Sequence, residues 1–216
     1  MTVPLPFLLE TPGGSHRGLV DLPEAPGERP AVVICPGSAG LLEWAFFPYL
    51  ATLLAARGFV VVRVDGGLGD LLSALAATGR EIAPERVDPS RLGLFGHGLG
   101  GGAAVLAAAL PEWRDRLGAL VTWAATSATA EPDLLDAAFQ VAAPWLLVHG
   151  EADTTVPVAA AGRLFERAQG PRRKTELLRL PGADHALGAR HPFAAPNPRL
   201  IQALNATQRW FRRHLS

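Results

Sequence analysis

Gly93-Leu94-Phe95-Gly96-His97-Gly98-Leu99-Gly100-Gly101-Gly102 joins a run of strand character, Arg91 to Phe95, to an Ala-rich helical stretch, Leu99 to Leu110, closed by Pro111. Two chemistries compete for this turn. In the first, Gly96, Gly98 and Gly101 satisfy G-x-G-x-x-G and would cradle the pyrophosphate of a dinucleotide at the helix N-terminus. That cradle also needs an acid near the end of the following strand to hold a ribose hydroxyl. The following strand reads Ala119-Leu120-Val121-Thr122-Trp123, which has no carboxylate, and the turn lies in mid-chain rather than in the first β-α unit. In the second, Gly96-His97-Gly98-Leu99-Gly100 is a nucleophile turn, G-x-S-x-G, with glycine at the serine position. Without its key residue the pattern decides little alone.

Reading outward from the turn, short apolar runs alternate with longer Ala/Leu-rich stretches of helical period, the mark of an α/β fold with a mostly parallel sheet and helices on both faces. Strands are expected at Ala31–Cys35, Phe59–Val64, Arg91–Phe95, Leu117–Trp123, Trp145–His149 and Thr175–Leu180. Helices are expected at Leu42–Arg57, Leu71–Ala77, Leu99–Leu110, Asp133–Phe139, Val158–Ala168 and Arg199–His214. The first thirty residues, rich in Pro and Gly, read as one or two short edge strands with loops. The stretch between Trp123 and Trp145 is too short for a lid, and 216 residues suit one domain, 1–216, without a cap.

Composition narrows the function. A hydrophobic fraction of 49% against 19% charged excludes a disordered chain, and twenty basic side chains balance twenty acidic ones, which argues against nucleic-acid binding. The one cysteine, Cys35, lies at the end of a buried-type strand and reads as a core thiol; with no second thiol there is neither an internal disulfide nor a Cys-based zinc cluster. Six scattered histidines lack metal-ligand spacing, so neither a metal nor a cofactor is expected. The start, MTVPLPFLLE, encodes no signal peptide or membrane span, giving an expectation of a cytoplasmic protein, or a secreted one if a leader has been removed. Arg172-Arg173-Lys174 reads as a solvated turn, and Arg209, Arg212 and Arg213 as the wet face of the last helix.

Two later loops give the second reading its weight. His149-Gly150-Glu151-Ala152-Asp153 puts Asp153 just beyond the C-terminal end of one strand, and Leu180-Pro181-Gly182-Ala183-Asp184-His185 puts His185 beyond the end of the next. The order turn, Asp, His is that of a charge-relay site on a doubly wound sheet, whose loops open at one edge. With Pro36-Gly37-Ser38, Gly58-Phe59-Val60-Val61, Val87-Asp88-Pro89-Ser90-Arg91-Leu92 and Gly96-His97-x-Leu99-Gly100-Gly101-Gly102, these loops make the chain from Arg29 onward resemble the α/β-hydrolase superfamily. It is most similar to the lid-less dienelactone hydrolases and to bacterial cutinase-type, polyester hydrolase-like esterases. The resemblance implies His185 as general base, Asp153 as its orienting acid, the backbone N–H groups of Ser38 and Leu99 as oxyanion hole, and Trp123 as a wall of the acyl cleft. Glu43 and Trp44, at the start of the helix after the oxyanion loop, are candidate edges of the same cleft or, equally, a solvated helix start, and Trp123 reads alternatively as plain core.

The departure is Gly98, which has no hydroxyl and cannot form an acyl-enzyme. The expected function is a carboxylic-ester hydrolase for short-acyl or polymeric esters, inactive or strongly impaired for want of its nucleophile. The alternative is a non-catalytic protein that binds ligands in the same pocket; an acyl-thioester hydrolase and a dinucleotide-binding protein rank behind. Among other candidates, Ser38 is expected to present its N–H rather than its hydroxyl, His97 to pack beside the turn, His149 to partner neighbouring backbone, and His191 to be a loop residue. Asp153 is preferred to Asp184 because Asp184 adjoins His185 and adjacent side chains diverge. The oligomeric state, and whether Gly98 was inherited or introduced, stay open.

Overall fold

A computed structural model describes residues 3–11, 14–37, 40–127, 131–170 and 174–216, with backbone alone at 131 and 132. Eight strands form one sheet: β1 (Leu5–Thr11), β2 (Gly14–Asp21), β3 (Arg29–Cys35), β4 (Val60–Val64), β5 (Val87–His97), β6 (Leu117–Trp123), β7 (Trp145–Gly150) and β8 (Thr175–Leu180). Their spatial order is β1-β2-β4-β3-β5-β6-β7-β8; the first two pairings are antiparallel and the rest parallel. The N-terminal segment thus supplies a full antiparallel hairpin.

The helices are α1 (Phe47–Ala55), α2 (Leu68–Ala77), α3 (Leu99–Ala109), α4 (Pro111–Arg114), α5 (Glu131–Gln140), α6 (Val158–Arg167) and α7 (Pro198–Leu215). Alternation along the inner strands sorts their side chains into two cores. Val32 and Ile34 of β3 and Val121 and Trp123 of β6 pack with Phe46, Phe47, Leu204 and Phe211 of the α1/α7 layer. Val33, Cys35 and Leu94 pack with Leu71, Ala104 and Leu134 on the opposite face, beneath α2, α3 and α5. α3 is the most enclosed helix: eight of its eleven residues, among them Gly100, Gly101 and Gly102, are buried.

Most expected elements are present with ends shifted by a few residues. The clearest correction is the helix expected from Leu42, which begins at Phe47. Ala45 adopts a positive φ of 44°, a conformation no α-helix can pass through, and Leu41 to Phe46 instead form turns that wall the sheet's upper edge. β5 extends further back than expected, because Val87 pairs with Arg29 of β3 across a register shift.

From β3 the chain runs through α1 to β4 on one side, then through α2 to β5 on the other, so the topological switch point lies between β3 and β5. The loops leaving the carboxyl ends of these strands face each other there. Two buried polar systems hold this edge. Arg63 of β4 donates to Asp21 of β2 through Nε at 3.0 Å and through a terminal nitrogen at 2.9 Å, and its other terminal nitrogen reaches the Leu42 carbonyl at 2.7 Å. Both side chains are almost wholly buried, and burial pushes the Asp21 carboxyl up from its ordinary value against the pull of Arg63. His97, the last residue of β5, donates from Nε2 to the backbone carbonyl of His185 at 3.0 Å. Burial drives its imidazole down from 6.5 to about 4.

Asp21→Ala leaves the Arg63 guanidinium buried without its carboxylate and should cost about 3 to 5 kcal/mol in denaturant unfolding, whereas replacing both partners with apolar residues should cost less. The His97 shift sets a pH dependence. Between pH 6.5 and about 4 the unfolded chain takes up a proton that folded His97 does not, so stability falls as pH drops through that window. The loss from this residue is about 3 kcal/mol in full. His97→Phe should flatten this part of the slope in melts followed from neutral to mildly acidic pH.

Candidate active site

Gly98 links β5 to α3 with φ +56° and ψ −121°, a backbone conformation that costs a residue without Cβ little. Its N–H donates to the Trp123 carbonyl at 2.9 Å, and its own carbonyl accepts from Thr126 at 3.0 Å and Gly102 at 3.2 Å, so the turn is fixed on both sides. The glycines around it serve close packing: a Cβ on Gly100 would strike the Cys35 carbonyl, and one on Gly37 would strike the Gly100 nitrogen. The start of α3 therefore lies against the loop leaving β3. Of the three glycines of the G-x-G-x-x-G reading, Gly96 packs on the Gly100 carbonyl and Gly101 on Ala125, while Gly98 faces His185.

Leu99 opens α3, and its N–H, at the positive end of the helix, has no carbonyl within the helix to receive it. Ser38, the other expected oxyanion residue, lies outside the described residues. The loop that carries it is gripped beyond that point. Asp65, directly after β4, accepts the Gly40 N–H at 2.7 Å, while Arg63 holds the Leu42 carbonyl.

Asp153 and His185 come together. His185 Nδ1 lies 2.8 Å from Asp153 Oδ2. The other carboxylate oxygen accepts the N–H groups of Thr155 and Val156, each at 2.8 Å, so the buried Asp153 is held by its own loop. A Cβ built on Gly98 would lie 3.3 Å from His185 Nε2 and 3.7 Å from Cε1, with no other described residue within 4 Å apart from its chain neighbours. The three positions expected to converge therefore share one hollow. It opens into a cavity of about 320 Å³ lined by Pro36, Leu41, Trp44, Phe47, Thr126 and Thr155 with the site residues. A neighbouring hollow of about 220 Å³ lies beyond Thr126 and Thr155, against Leu134 and Leu164.

Trp44 lines the cavity as expected and stacks on His191 at 6.4 Å between ring centroids. Trp123 does not. It is fully buried, packs on Phe46 and Phe95, and donates from its indole to Thr207 of α7 at 3.1 Å. Strand alternation turns position 123 beneath the α1/α7 layer, so proximity in sequence to the strand end does not bring the ring into the cleft. Glu43 points away to Arg17, at 3.6 Å, with both side chains exposed. Asp184 is engaged by the Gly188 N–H at 2.6 Å and by Arg190 at 2.9 Å rather than by His185. Cys35 is buried, its thiol pushed up to about 12 by desolvation, and Sγ lies 3.8 Å from the Gly66 carbonyl, as suits a core residue.

Three residues escape the sequence motifs, Asp65, Thr126 and Thr155, whereas His149 partners neighbouring backbone as expected. His149 Nε2 lies 2.8 Å from the Val156 carbonyl and 3.4 Å from Asp153 Oδ2, and burial pushes this imidazole below its ordinary value. Asp65 clamps the loop after β3, and Thr126 and Thr155 divide the two hollows. Only the position of Asp65 at a strand's C-terminal end hinted at its role. Among the described residues no cluster of His, Cys, Asp or Glu is placed to hold a metal ion, and no helix is long and apolar enough to cross a membrane.

Known proteins resemble this chain in sequence and in fold. Among curated relatives, the chain is 32% identical over 166 residues to the bis(hydroxyethyl) terephthalate hydrolase of Streptomyces coelicolor, covering 72% of this chain and 50% of that protein. It is 26% identical over 189 residues to cutinase 1 of Thermobifida cellulosilytica, covering 80% of this chain and 66% of the relative. The chain thus spans between half and two thirds of the length of these two relatives. Among solved structures, a putative dienelactone hydrolase of Klebsiella pneumoniae superposes with a TM-score of 0.80 at 19% identity over 98% of each chain. The esterase domain of a Rhodothermus marinus protein gives 0.74 at 20% identity over the full length of both. The fold is that of the α/β-hydrolases, and since the dienelactone hydrolase family matches residues 68–215, well over half of the sequence, the chain belongs to that family.

Proposed function

We propose that the chain is the scaffold of a carboxylic-ester hydrolase in which the nucleophile position is held by Gly98, so that the chain as it stands turns over esters weakly or not at all. The observation that carries this reading is the imidazole of His185, bonded to Asp153 at 2.8 Å and standing 3.3 Å from the place a side chain on Gly98 would begin. In this reading His185 is the general base, Asp153 fixes its tautomer and balances the imidazolium, and the Leu99 N–H polarises the carbonyl, with the Ser38 N–H as second donor. Trp44, Leu41 and Phe47 supply an apolar wall for the acyl or alcohol part. The whole is taken to be one domain without a cap, and the open cleft suits short-acyl esters or segments of a polyester chain. The named activities of the terephthalate-ester hydrolase and the cutinase point to the same substrates.

A serine at the turn would have its Oγ next to Nε2 and could be acylated. Sites that lack a triad member retain roughly 10³ to 10⁴-fold catalysis over the uncatalysed reaction, from binding and the oxyanion hole. The intact cleft favours the second reading, a non-catalytic binder of esters or acids, only if ligands bind without turnover. Gly98→Ser should raise hydrolysis of p-nitrophenyl acetate or butyrate by at least about a hundredfold over the present chain, with a burst of nitrophenol as acyl-enzyme accumulates. A folded Gly98→Ser variant that stays inert on a panel of aryl and alkyl esters would sink the proposed roles. Adding Asp153→Asn to the serine variant should lower kcat by about 10⁴-fold with little change in KM, because the imidazole then takes the wrong tautomer.

A further inference from the structure

Resting on that reading, we propose that the space over Gly98 is an acceptor site for a small free nucleophile, a water or a methanol-sized alcohol, which attacks the bound ester directly so that no acyl-enzyme forms. The geometry there is specific. Among the described residues, chain neighbours aside, only Nε2 and Cε1 of His185 stand within 4 Å of a Cβ on Gly98, and Gly98 itself lines the cavity. The bond from His185 to Asp153 places the imidazole proton on Nδ1, which leaves a lone pair on Nε2 facing this space. The two nearby imidazoles cannot compete. His97 and His149 each direct Nε2 at a backbone carbonyl, of His185 and Val156 respectively, and each is pushed by burial toward its neutral form.

A free acceptor differs from a tethered serine in one respect. Its oxygen must keep a non-bonded distance of roughly 3.5 Å from the glycine Cα, so it sits farther up the cleft than a serine oxygen would. A methyl group adds little bulk beside it, whereas a branched alcohol competes with the bound ester for room in the cavity. The reaction balances without another reagent. The acceptor's O–H proton passes to Nε2 as its oxygen bonds the ester carbonyl carbon, and the negative charge on the carbonyl oxygen is met by the Leu99 N–H. The carbon–oxygen bond to the leaving alcohol then breaks, and the same proton passes from Nε2 to that alcohol. Water gives the acid, and methanol gives the methyl ester.

The test incubates the unmodified chain with p-nitrophenyl butyrate and methanol, with methyl butyrate measured by gas chromatography and nitrophenol by absorbance. Methyl butyrate should form above the protein-free background, rise in proportion to methanol, and appear without a nitrophenol burst. 2-Methyl-2-propanol should give no corresponding ester. His185→Ala should lower the methanol-dependent rate by about a hundredfold, the lower end of general-base catalysis. Gly98→Ala, checked for fold by circular dichroism, should lower it by about tenfold or more as its Cβ fills the space. If the unmodified chain forms no methyl butyrate while Gly98→Ser hydrolyses the same ester, the acceptor site is refuted and the esterase scaffold stands. If methyl butyrate forms equally in Gly98→Ala, or tertiary alcohols serve as well as methanol, the acceptor site is likewise refuted. If Gly98→Ser is also inert, both proposals fall.

Discussion

The close approach between the first turn of α3 and the loop leaving β3 is the constraint on which the rest of the structure depends. Gly37 and Gly100 meet backbone to backbone, and Gly96 lies against the same turn of helix. Because no side chain intervenes, the N-terminus of α3 reaches the switch point between β3 and β5, and its unpaired N–H groups face the place where ligands enter such sheets. Every other part of the site is arranged around that fixed point. Asp153 is locked by its loop and His185 by Asp153, while His97 holds the backbone of His185 from below.

Much of this was legible in the chain itself, for physical reasons that can be named. β6 and β8 read to the residue, as Leu117–Trp123 and Thr175–Leu180, because each is a compact run bounded by turn signals or a helix end. Asp153 and His185 were legible because loops at the carboxyl ends of parallel strands converge whatever their separation in sequence. What local pattern could not supply was direction. Leu41 to Phe46 has the composition of a helix start, yet the positive φ at Ala45 makes it a wall of the cleft, and Trp44 joins that wall through His191 rather than through a helix. Trp123 lies at the right strand end, but pleating sends it under α7.

The buried polar groups missed by motif reading share a property. Arg63, Asp21 and Asp65 act through partners far away in sequence, so no short spacing announces them. Arg63 and Asp65 belong to β4 and the loop directly after it, and both bind the segment that follows the β3 turn, one through the Leu42 carbonyl and the other through the Gly40 N–H. The loop bearing the second proposed oxyanion donor is thus braced downstream by side chains from the neighbouring strand. This explains why a charged arginine is kept in a core where an apolar residue of its size would otherwise serve as well.

Three imidazoles stand around one carboxylate, and their unequal burial has a consequence for charge. His97 and His149 are enclosed and resist protonation, while the side chain of His185 retains about 26% of its surface in contact with the cleft. Charge that enters this cluster from the cleft therefore meets the His185 ring first, and the sealed Asp153 carboxylate is reached through it.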